Sequence, residues 1–145
     1  MDKNIPEFFW DEEEGLATCR LTDGKKIFYG EAVCHPDDKD FQSERVGCEI
    51  ALRRAEIDML KQIKYEQKLI YDTINHVYST MNHSSKYNPN SYEAKSIQRE
   101  LANALLDYVS FSEILKERKQ ALRTYIENKE GFYKKLRVKR AQNNN

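Results

Sequence analysis

This chain has little of what marks several common protein classes. Its 145 residues include only five Gly and three Pro, too few for a disordered, collagen-like or low-complexity chain. Three cysteines, Cys19, Cys34 and Cys48, are an odd number at spacings that frame no disulfide scaffold, and they fit reduced thiols in a cytoplasm better. No apolar run approaches the roughly 18 residues of a membrane span. The opening "MDKNIPEFFWDEEEG" lacks the basic-then-apolar order of a secretory signal. The expectation is therefore a cytoplasmic protein with no membrane partner. Net charge is missing as well: 24 Lys and Arg balance 24 Asp and Glu, so no whole-molecule field attracts nucleic acid. The balance hides an asymmetry. From Lys116 to Asn145 there are ten Lys and Arg against three Glu. That end can meet something acidic, or simply favour the negative end of its own helix.

What is present is charge and periodicity. Charged residues make up 33% and apolar ones 39%, the balance of a helix-rich globular domain. Residues 1–39 nevertheless alternate with period two. "GLATCRLTDGKKIFYGEAVCHP" sets Leu16, Thr18 and Arg20 against Ala17, Cys19 and Leu21, turns at Asp23-Gly24, and resumes with Ile27, Tyr29, Glu31 and Val33. An Asp-Gly pair between alternating runs is a strong hairpin signal. "PEFFWD" supplies an earlier strand, for two or three antiparallel strands in all.

"HPDDKDFQSE" then offers cap chemistry, with Asp40 or Ser43 able to start a helix. The first long helix is expected over 40–81. Its apolar stripe runs through Val46, Ile50, Ile57, Leu60, Ile74, Val77 and Met81 at spacings of three and four. Residues 82–91, "NHSSKYNPNS", break it. A second long helix over 92–138 keeps Ile97, Leu101, Ala104, Tyr108, Phe111, Leu115, Leu122 and Tyr125 in register. Gly131 is expected to fray or kink its final turns, and 139–145 to form a disordered tail. The fold class is thus α+β: a small N-terminal antiparallel sheet followed by two long antiparallel α-helices, in a single domain over 1–145. Helices of about 40 residues are on the order of 60 Å long, too long for one hairpin and a small sheet to cover. Tyr65, Leu69, Leu105, Leu106 and Val109 are left over beside the stripes. A homo-oligomer is expected to cover them.

Two groups of residues stand out as binding candidates. Arg53 falls on the first stripe where an apolar residue belongs, with Arg54 beside it. Arg53 either pairs with Glu49, Glu56 or an acid on a partner helix, or waits for a phosphate, which a guanidinium grips with two parallel N–H bonds. The second group surrounds the inter-helix segment. Tyr78, Tyr87 and Tyr92 offer stacking faces, while Asn82, Asn88 and Asn90 offer donor and acceptor edges for a base or ribose. The plainer alternative is that Asn and Ser make turns and Tyr fills space. Cys34, His35, Asp37 and Asp38 are followed by no second ligand pair of zinc type. There is no Gly-rich phosphate loop, nucleophile elbow or paired-carboxylate signature. No metal, no cofactor and no enzymatic activity are expected.

The segment "GEAVCHPDDKDFQSERVGCEIALRRAEI" resembles one common in small phage and prophage proteins. It reads Gly-x-Ala-x-Cys-x-Pro-x-Asp, then Gly47, the pair Ile50-Ala51 and the pair Arg54-Ala55. With the sheet-then-two-helices layout, the chain resembles the first Thoeris anti-defence family of phages. The motif likeness covers about 30–56 and the layout about 15–135. The resemblance implies a sponge that sequesters cyclic ADP-ribose isomers made by TIR-domain enzymes, without cleaving them, in the cytoplasm of the infected host. It implies higher oligomers and, in some members, cyclic oligonucleotides as further ligands. It also implies ligand contacts from an Arg early in the first helix, an aromatic near that helix's end and an Asn beyond it. The matching positions are Arg53, Tyr78 and Asn88, where Tyr78 departs from an expected Phe and adds a hydroxyl to satisfy. The competing expectations are a nucleic-acid-binding or regulatory module and a helical interaction protein.

Overall fold

A computed structural model describes residues 5–35, 38 and 43–144. Its elements are β1 (Glu7–Asp11), β2 (Leu16–Thr22), β3 (Ile27–Val33), α1 (Glu44–Asn82) and α2 (Tyr92–Asn143). The α+β order expected from the periodicity is what the chain forms. Asp37 and Asp40 lie outside the described residues.

The strands form one antiparallel meander in the order β1-β2-β3. Gly24, at φ 92°, makes the β2–β3 turn, and the Asp23 carboxylate accepts from the amides of Lys25 and Lys26, each at 2.8 Å. These two bonds hold the Asp23 carboxyl below the ordinary range. Period-two alternation puts Ala17, Cys19 and Leu21 of β2 beside Phe28 and Ala32 of β3 on one buried face. Phe9, Tyr29 and Val33 are exposed on the other.

Ser43 starts α1: its hydroxyl accepts from the Val46 amide at 3.3 Å. Ser91 does the same for α2 through Ala94, at 3.2 Å. The first turns of α1 carry three faces. Ala51 and Ala55, fully buried, press on the sheet with Cys48, Leu52 and Met59. A second face holds Glu49, Arg53 and Ile57, and a third Val46, Gly47 and Ile50. The spacing places Val46 and Ile50 on the buried stripe; both are half-buried, Ile50 packing at the edge of the core, while its centre is filled by two alanines. Small residues are needed there because a Cβ on Gly30 of β3 would strike the backbone oxygen of Ala51 and the backbone nitrogen of Ala55. Strand and helix meet backbone to backbone.

The chain forms two compact units. One comprises residues 1–59 and 117–145, the other 60–116. In the second unit α2 behaves as its spacing predicts, with Ala94, Ala104 and Leu115 buried and Ile97, Leu101, Tyr108 and Phe111 half-buried. On α1 Ile74 and Met81 are half-buried as the spacing predicts, but between them Val77 is exposed and Tyr78 half-buried in its place. Tyr65, Leu69, Leu105, Leu106 and Val109 are exposed, as the spacing predicts. Gly131 does not end or fray α2, which continues to Asn143. The disordered tail expected over 139–145 is therefore helical through 143. Lys and Arg there are good helix formers and suit the negative end of the helix. No described helix is long and apolar enough to cross a membrane.

Candidate functional site

The first unit contains a cleft of about 520 Å³, within the range of small-molecule sites. One side is built by the end of β1 and β3 and the third face of α1, which contributes Val46, Ile50 and Arg54. The other side is the last part of α2. Ile126, Lys129, Tyr133 and Arg137 recur there at spacings of three and four, so one helical face lines the opening. Trp10 and Tyr133 supply aromatic surface, Arg54, Lys129 and Lys134 supply positive charge, and Glu130 sets one carboxylate among them.

The charges are arranged. Arg54 Nη1 donates to the Glu31 backbone oxygen at 2.6 Å, which ties the guanidinium to β3 at the edge of the cleft. Lys129 Nζ lies 5.5 Å from the centre of the Tyr125 ring. Asp38 is the one buried charged residue among those described. Its carboxylate accepts from Arg137 Nε at 2.6 Å and Nη2 at 2.8 Å. Burial, then the proximity of Cys34 and Asp38, raises the Tyr133 hydroxyl above the ordinary tyrosine range. Burial and then Asp38 likewise raise the Cys34 thiol. Both groups stay neutral at pH 7 and add polarity without charge.

The eight residues singled out by the sequence divide between the units. Arg53 and Arg54 belong to the first; Tyr78, Asn82, Tyr87, Asn88, Asn90 and the exposed Tyr92 belong to the second. Arg53 and Arg54 are neighbours in sequence but face different ways. Arg53 Nε donates to Glu49 at 2.9 Å, and the guanidinium stacks 4.9 Å from the Tyr125 ring centre. Half-buried and doubly engaged, Arg53 fits the pairing alternative, whereas Arg54 lines the cleft. In the second unit Gln98 donates to the Tyr87 hydroxyl at 3.2 Å. A hydrogen bond to Tyr87 raises the Tyr78 hydroxyl above the tyrosine range, so the extra oxygen of Tyr78 has a partner. The Asn88 side chain accepts from the Asn90 amide at 3.0 Å in a local turn, and Asn82 and Asn90 are exposed.

Lys129 and Tyr133 are not singled out by the sequence, and Lys134 figures only as part of its basic end. They stand within a general run of cations, and only the fold separates those that line a cleft from those that meet water. Trp10 is the chain's single Trp, a signal that can flag a cleft. Among the described residues no group of three or more His, Cys, Asp or Glu is placed to hold a metal ion. No family model matches the chain, and no curated protein or solved structure does.

Proposed function

We propose that this is a phage anti-defence protein that captures a cyclic ADP-ribose isomer and withholds it without cleaving it. The observation that carries the reading is the cleft of the first unit, where two aromatic side chains and the cations Arg54, Lys129 and Lys134 converge beside one carboxylate, Glu130, and the Asp38–Arg137 pair. A cyclic nucleotide of this class presents a pyrophosphate and a purine. Arg54, Lys129 and Lys134 suit the phosphates, because charge-assisted bonds to an oxyanion contribute about 1.5–3 kcal/mol each. Trp10 and Tyr133 suit the base, for which one aromatic stack contributes about 1–3 kcal/mol. A rigid cyclic ligand loses little freedom on binding, so a few such contacts hold it tightly. The resemblance places the guanidinium contact early in the first helix. Because Arg53 is engaged by Glu49 and Tyr125 while Arg54 lines the cleft, we give that role to Arg54.

Isothermal titration of the full chain with a cyclic ADP-ribose isomer tests this, with Trp10 fluorescence as a second reporter. Tight binding is expected, reduced at least tenfold in Arg54→Ala and Tyr133→Ala and nearly unchanged in Arg53→Ala. Unaltered affinity in Arg54→Ala with binding lost in Tyr78→Ala and Asn88→Ala would move the ligand to the inter-helix group. No heat and no fluorescence change in wild type would end the capture reading.

A further inference from the structure

The α2 side of the cleft is weakly anchored by apolar packing. Beyond Leu115 the helix has no fully buried residue; Leu122, Tyr125, Ile126, Lys129, Tyr133 and Leu136 are only half-buried. The most specific tie is the Asp38–Arg137 pair, which joins the segment after β3 to a helix turn 99 residues later. Its geometry is a planar fork meeting both oxygens of one carboxylate. Burying a carboxylate for stability alone is a poor bargain, since an apolar pair of similar volume does as well or better. What the fork adds is direction: it fixes both the position and the rotation of the helix turn that carries Arg137. Tyr133 and Lys134 lie within one turn of Arg137, so the same fork sets where they face.

We propose that Asp38 and Arg137 form a clamp that holds the end of α2 as the wall of the cleft, with Arg137 as a positioning residue governing how long an anionic ligand is retained. With the guanidinium turned onto Asp38, the phosphates fall to Arg54, Lys129 and Lys134. Arg137 therefore acts through the wall. The ligand half of this rests on the capture reading above; the clamp itself does not.

Two measurements on the full chain separate them. The first uses ligand-free protein and compares Arg137→Ala and Arg137→Lys with wild type by amide hydrogen exchange and acrylamide quenching of Trp10. Arg137→Ala is expected to exchange at least tenfold faster over 126–143 and to leave Trp10 more accessible, with 16–33 and 44–59 unchanged. Arg137→Lys, which keeps the charge but loses the fork, should fall between. The second follows dissociation of a bound cyclic ADP-ribose isomer, expected to be at least tenfold faster in Arg137→Ala with association little altered. Wild-type exchange over 126–143 in Arg137→Ala overturns the clamp, and so does uniform loosening of every segment, which marks a general fold contact. Faster exchange with an unchanged dissociation rate overturns the retention role. If wild type binds no cyclic nucleotide, the capture reading fails and retention with it, while exchange and quenching still decide the clamp.

Discussion

At the scale of single residues, the decisive contact is the one made by a residue with no side chain. Gly30 lets β3 approach the α1 backbone at Ala51 and Ala55, and a Cβ there meets backbone atoms that no rotamer change can move aside. Gly30→Ala must push sheet and helix apart, which costs the packing of Cys19, Phe28 and Ala32 along with it. A loss of about 3 kcal/mol is expected, read as a lower urea midpoint. Cys19 gives a second handle. Burial above all, with smaller contributions from Glu56 and Cys48, raises its thiol from 9.0 to about 11. A group whose folded pKa is raised contributes in full below the unfolded value and loses that contribution as pH climbs through the folded one. Wild type should therefore lose about 2 to 3 kcal/mol between pH 9 and 11 on account of this thiol. Urea melts across that window check it: Cys19→Ala, though less stable at pH 7, should show a shallower alkaline decline.

Among the elements, α2 poses a plain test of intrinsic propensity. Gly131 sits inside a continuous helix with open space where a Cβ would stand. The backbone there is ordinary, and glycine costs up to about 1 kcal/mol relative to alanine in a helix interior. Gly131→Ala should raise helicity and slow amide exchange over 126–143; unchanged exchange would mean those turns are held by their contacts alone. The helix limits show what local sequence carries and what it omits. Strand alternation, the Asp23-Gly24 turn and the Ser43 and Ser91 caps are local, and they are legible because each rests on residues within a few positions. The face α1 turns to the sheet is not, because Ala51 and Ala55 give a weak apolar signal beside Val46 and Ile50. Arg53 could be read as out of place, but its partner Tyr125 lies on another element. The Asp38–Arg137 pair and the cleft wall are still less visible, since nothing local links positions 99 residues apart.

For the whole molecule, the open matter is what covers the second unit. Leu106 is 64% exposed and Tyr65 59%, with Leu69, Ile70, Leu105 and Val109 also exposed. Scattered apolar residues need no cover, but the largest patch on a typical monomer is roughly 300–600 Å², and these side chains recur along two helices. Zero net charge removes the long-range repulsion that would keep copies apart. The expected outcome in light scattering is a mass that is a multiple of 17.2 kDa, falling to 17.2 kDa in a Leu69→Glu, Leu106→Glu double variant. A wild-type mass of 17.2 kDa at tens of micromolar would sink it. The same variant also ranks the two groups of candidate residues. The cleft is built within the first unit, so if it is the ligand site, the dissociated variant should still bind a cyclic ADP-ribose isomer with near wild-type affinity. If affinity disappears with mass while the melting profile persists, the site needs a second chain, and Tyr78 and Asn88 gain weight over Arg54 and Tyr133.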